Sequence, residues 1–127
     1  MRPDRTQQAY YKPGAPVLHR AGVTAADAAD PVSPDGAISS AGYQRVRFDL
    51  DTTGSVALAA LRVRVLFWNP LAGCFFHGDD REMTGDELLA SPRFSLDVET
   101  RGAPAVFLKV VSAEAEELAL DVYAMPW

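Results

Sequence analysis

The sequence predicts an all-β fold: a jelly-roll-like antiparallel β-sandwich over residues 43–127, preceded by an extended N-terminal arm over residues 1–42. Three observations predict it. From Tyr43 onward apolar and polar residues alternate with a period of two, the signature of strands with one buried and one wet face. Turn-forming clusters, DTTGS, FWNPLAG, HGDD, TRGAP and SAEAE, separate these runs. Before Tyr43 no period is sustained, and prolines stand at positions 3, 13, 16, 31 and 34.

Each element follows from its own pattern. In QRVRFDLD, Val46, Phe48 and Leu50 point one way and Arg45, Arg47 and Asp49 the other. LRVRVLFW sets Leu61, Val63, Val65 and Phe67 against Arg62 and Arg64, with Trp68 on the face opposite Phe67. Phe75 and Phe76 predict a buried or half-buried strand around Cys74, ended by a turn at His77-Gly78-Asp79-Asp80. TGDE, Thr84 to Glu87, has the spacing of a capping box opening a brief helical turn through DELLA. RFSLDVET, AVFLKVVS and ELALDVYAM complete the strand set, and their short links predict a meander. Seven or eight strands in 85 residues need two facing sheets. Ten of the twelve aromatic residues lie in this part, enough to build its core.

The arm holds few large apolar side chains: Tyr10, Tyr11, Val17, Leu18, Val23, Val32 and Ile38. Fixing the backbone costs about 1–2 kcal/mol per residue, more than these anchors return at roughly 1.5–3 kcal/mol each. The arm is therefore expected to borrow order from a larger surface, such as a neighbouring subunit, the alternative being that it wraps its own domain, with TAADAAD forming at most one helical turn capped by Thr24.

Charge narrows the partners. The net charge is −5, and residues 43–127 carry all of it, with eight basic and thirteen acidic side chains. A chain with two lysines and an acidic body is poorly suited to neutralising phosphates, so nucleic acid is not expected as a partner. No apolar run approaches the roughly 18 residues needed to span a bilayer, and the first residues lack the apolar core of a secretory signal. No membrane partner is expected, and the protein is expected to be made in, and remain in, the cytoplasm or something assembled there. One cysteine, Cys74, excludes an internal disulfide framework and leaves too few thiolates for a structural zinc site.

Chemistry-bearing stretches are few. DLDTTG opens like a calcium loop, but its twelfth position is Ala60 where a bidentate glutamate is needed. It reads more simply as a turn in which Asp51 bonds its own backbone and Gly54 supplies a positive φ. Cys74 and His77, three apart in an extended strand, fall on opposite faces and make no nucleophile–base pair. Neither catalytic residues nor cofactors nor metal ligands are expected. The better candidate is a shallow sugar site at the strand corner: Trp68 as a stacking platform, with Asn69, His77, Asp79 and Arg81 meeting hydroxyls. Trp127, closing DVYAMPW, is expected to pin the C-terminus to the body or to a neighbour.

A Pro/Ala-rich arm through Gly42, the strand set from YQRVRFDLD to LALDVYAMPW and the loop FWNPLAGCFFHGDDREM together resemble capsid decoration, or cement, proteins of tailed bacteriophages and related virion β-sandwich proteins. The resemblance implies a non-enzymatic structural subunit on the outer capsid surface of a virion assembled in the host cytoplasm. It also implies contact with the major capsid protein or other virion subunits, as a homo-oligomer, dimer or trimer. Tyr10, Tyr11, Val17, Leu18 and Trp127 would be the partner-binding residues. The alternative function is a carbohydrate-binding or receptor-binding module of a fibre or tail.

Overall fold

The computed structural model describes residues 14–127, so Tyr10 and Tyr11 lie outside the described residues. Eight strands run β1 Val17–Val23, β2 Ile38–Ser39, β3 Arg45–Asp51, β4 Ala60–Asn69, β5 Cys74–Thr84, β6 Arg93–Glu99, β7 Ala105–Glu114 and β8 Leu120–Pro126. A short helix, α1 Gly85–Ala90, joins β5 to β6. The strands form two antiparallel four-stranded sheets, ordered β1-β8-β3-β6 and β2-β7-β4-β5. This is jelly-roll topology, in which every connection except the β4–β5 hairpin passes from one sheet to the other.

The alternating side chains become the core between the sheets. Val46, Phe48 and Leu50 of β3 and Leu96, Leu120, Val122 and Ala124 from β6 and β8 face Leu61, Val63 and Val65 of β4 and Val106, Leu108 and Val110 of β7. On the wet face of the first sheet the charges pair across strands, Arg45 with Asp97 at 2.7 Å and Arg93 with Asp51 at 3.2 Å. The second sheet does the same through Arg62–Glu82 at 2.5 Å.

Several expectations need correction. The last three strands are no meander: β6 and β8 lie in one sheet and β7 in the other. Sheets pack only about 10 Å apart, so a short link reaches across the sandwich as readily as to a neighbouring strand. HGDD does not end a strand. β5 continues through it to Thr84, because Asp80 and Glu82 pair with Arg64 and Arg62 of β4. Cys74 is exposed, paired with Asn69 beside the hairpin turn. The turn after β3 is an Asx turn, with Thr53 N–H donating to Asp51 Oδ1 at 3.0 Å. Gly54, however, lacks a positive φ; its hydrogen leaves room for Ala119, whose Cβ a side chain here would approach to 3.2 Å. The helix forms where expected, yet Thr84 caps it without a side-chain hydrogen bond.

The largest correction concerns the described part of the arm. Residues 17–23 pair with β8, and Ile38 and Ser39 pair with β7, so this segment supplies one edge strand to each sheet. Two register shifts in β1, with Gly22 at φ +62°, break the alternation that would have revealed it. TAADAAD forms no helix; Asp27 instead serves β7, its N–H donating to Val110 O and its carboxylate accepting from Val110 N–H, both at 2.8 Å. His19 Nε2 accepts from Leu108 N–H at 3.0 Å, and Arg20 holds Asp27 at 2.7 Å. These side chains complete the edge of β7 where the two-residue β2 stops, and they plug that flank of the sandwich. Edges need such cover because unpaired backbone groups invite other strands.

Candidate functional site

The opposite flank, between edge strands β5 and β6, is open. Its cause is a break in the β5 pattern. Leu61 of β4 faces buried Met83 in the ordinary way, but Val63 is opposite Arg81. Gly78 and Asp79 sit at a bulge opposite Val65. Where an edge strand should contribute apolar cover, β5 offers a hydrogen atom and two charged side chains. A cleft of about 370 Å³ results, within the usual small-molecule range of roughly 300–1,000 Å³.

Its floor is apolar: Phe67 of β4 and Val98 of β6 are half-buried there, with the buried Val63, Val65 and Leu96 behind them. Phe67 is fixed from behind. A Cβ on Gly78 would lie 2.6 Å from Phe67 Cε2, so only glycine lets the ring lie against β5. The Arg101 guanidinium stands 5.5 Å from the ring centroid on the β6–β7 turn, where Arg101 itself has φ +52°.

The rim is charged. Arg101 Nη2 reaches Asp79 at 3.1 Å, tying the β6–β7 turn to β5. Arg45 holds Asp97 at 2.7 Å and Glu99 at 3.4 Å. Arg64 holds Asp80 at 2.5 Å, and this hydrogen bond keeps the Asp80 carboxyl below its ordinary range. Arg81 lines the same cleft and makes no ion pair or side-chain hydrogen bond among the described residues. Apolar floor and hydrogen-bonding rim together can hold a small amphipathic ligand; the described residues offer no group of three His, Cys, Asp or Glu side chains placed to hold a metal ion.

The five residues expected to form a sugar site do not converge. Asp79 and Arg81 line the cleft. Trp68 packs edge-to-face on Phe75 at 5.0 Å, in a cluster with Leu66 and Phe107 apart from the main core. Asn69 Oδ1 accepts from the N–H groups of Leu71 and Ala72 at 3.0 Å and shapes the hairpin turn. His77 Nε2 lies 2.7 Å from Asp30 and its Nδ1 3.3 Å from Arg64, tethering the β1–β2 connection. Cys74 and His77 face opposite ways, as their spacing implies. Sequence reasoning missed Phe67, Arg45, Asp97, Glu99 and Arg101. The available signal was HGDDR, a strand segment without an apolar residue beside the fully patterned β4.

Of the residues expected to meet a partner, Val17 and Leu18 are exposed on β1, and Leu18 pairs with exposed Tyr123. Trp127 is half-exposed with its ring 5.9 Å from the Arg45 guanidinium, while its backbone closes on Arg45.

Fold and site define a class, a jelly-roll sandwich with a charged-rimmed cleft between two edge strands. No family model matches the chain, and no curated protein matches it. Among solved structures it is similar to a carbohydrate-binding module specific for non-crystalline cellulose, CBM28, at 13% identity and a TM-score of 0.47. The alignment covers 68% of this chain and 57% of that one, so the chain spans little more than half the length of that structure.

Proposed function

We propose that the protein is a non-enzymatic binding module whose β5–β6 cleft holds a carbohydrate. The observation carrying this reading is the layering of the cleft: the half-buried Phe67 and Val98, backed by buried aliphatic side chains, lie beneath a rim of arginines and carboxylates. A sugar ring has the matching design, with a C–H face for the apolar floor and hydroxyls for the charged donors and acceptors. Trp68, in this reading, is a packing residue and not the platform.

A glycan array followed by titration calorimetry tests it. Phe67→Leu keeps the floor apolar but removes the ring, and binding is expected to weaken about 10-fold. Trp68→Ala is expected to leave affinity unchanged. An array without any ligand, or loss of binding in the Trp68 variant alone, overturns the reading.

A second reading, a decoration subunit of a phage-like particle, is favoured by the outward face of β1 and β8. Leu18, Tyr123 and Trp127 are exposed there, and Met125 is half-buried in the same alternating row. An apolar row beside β1, the edge strand of its sheet among the described residues, suits a neighbouring subunit. Leu18→Asp with Tyr123→Ser should then abolish co-sedimentation with particles; retention of the double variant on them removes this reading.

A further inference from the structure

We infer that the cleft selects an acidic ligand, a saccharide bearing a carboxylate, and that Arg81 is its anchor. The inference rests on the carbohydrate reading above and adds the chemical class of the sugar.

Every carboxylate on the rim already has a guanidinium partner: Asp79 has Arg101, Asp80 has Arg64, and Asp97 and Glu99 share Arg45. The other described cations are engaged as well, Arg20 with Asp27, Arg47 with Asp49, Arg62 with Glu82, Arg93 with Asp51 and Lys109 with Asp30. Among the described arginines and lysines, Arg81 alone has no such partner. On a chain of net charge −5, a guanidinium uncompensated among the described residues is against the general trend, and this one lines the cleft.

Its position sharpens the point. Arg81 takes an inward-facing place opposite Val63, two residues before buried Met83, where an apolar side chain would have closed the flank. Arg81 lines the cleft with the apolar floor residues, and a guanidinium's planar fork presents paired donors that fit a carboxylate. A neutral sugar would leave that charge unmatched. A uronate or sialate would match it while its ring covers Phe67, and the neighbouring ion pairs would meet the remaining hydroxyls.

The test uses the full chain and matched probe pairs: trigalacturonate against its methyl ester, and sialyllactose against lactose. Calorimetric titration at low and high salt is run on wild type, Arg81→Gln and Arg81→Lys, with amide shifts at Gly78 locating the ligand. The expected result is that an acidic member binds at least 10-fold tighter than its neutral counterpart and weakens with salt. Arg81→Gln should lose about 10- to 100-fold for the acid and nothing for the neutral sugar, with Arg81→Lys in between. Arg81 is exposed, so these variants are expected to fold. Neutral members binding as well as or better than acidic ones would overturn the inference and leave the carbohydrate reading standing. So would an Arg81→Gln protein that keeps full affinity for the acid. If no member of any pair binds, and the array is also empty, the carbohydrate reading falls and this inference with it.

Discussion

Gly78 determines whether the cleft has an aromatic floor. The Phe67 ring occupies the space where any other residue would place a Cβ, and Val65 O lies only 3.0 Å from the same point. Gly78→Ala is expected to push the ring toward the cleft, costing about 1–3 kcal/mol of stability through overpacking and weakening ligand binding in parallel. Denaturant unfolding and titration on the same variant check both effects; an unchanged midpoint with unchanged affinity would show the ring free to move aside. Other single residues carry comparable detail. Asn69 was expected to meet a ligand, but its amide oxygen is spent on two N–H groups of its own turn. Sequence reading names residue types correctly and cannot see that a neighbour has already claimed their lone pairs.

At the scale of the element, β1 and the connection after it act through side chains as much as through backbone. His19 is packed between Phe48 and Phe107, with ring centroids at 5.5 and 4.9 Å. Burial first, and then the Arg20 charge, lowers its pKa from 6.5 to about 4, against smaller opposing effects of Asp27 and Gly36. Its Nδ1 is buried without a partner among the described residues, while Nε2 accepts the Leu108 N–H and so must be unprotonated. The sign follows from linkage. Between pH 6.5 and about 4 the unfolded chain binds a proton that the folded chain refuses. The stability this neutral histidine secures is complete above pH 6.5 and is lost as pH falls toward 4, by up to about 3 kcal/mol. Asp27 adds to the loss at still lower pH. Burial alone would raise its carboxyl, but the Arg20 and Val110 hydrogen bonds outweigh that and hold it below its ordinary value. Unfolding midpoints measured from pH 7.5 to 4.5 should fall for wild type and flatten for His19→Gln; parallel profiles would exclude His19 as the cause.

Across the whole molecule, the parts that obey a period of two were legible and the parts that depart from it were not. Strands β3, β4, β6 and β8 emerged from their apolar alternation, because each has one face on the core and one largely in water; β7, buried on both faces over its first four residues, stood out as an apolar run between turns. β1 escaped because its bulges reset the alternation, and β2 because two residues make no pattern. The assignment of strands to sheets also escaped, since link length does not distinguish a neighbour from the facing layer. The site was half legible: Asp79 and Arg81 stood out as charges, whereas Phe67 looked like any inward-facing residue until β5 failed to cover it.

The position of β8 between β1 and β3 carries a kinetic consequence. Val17 waits for Ala124, so among the described strands β1 has no partner until nearly all the rest of the chain exists. The β2-β7-β4-β5 layer can assemble earlier, around the local β4–β5 hairpin. The other layer closes only by insertion of a late strand between two early ones, a long loop closure that slows folding and leaves a bare edge for aggregation in the interval.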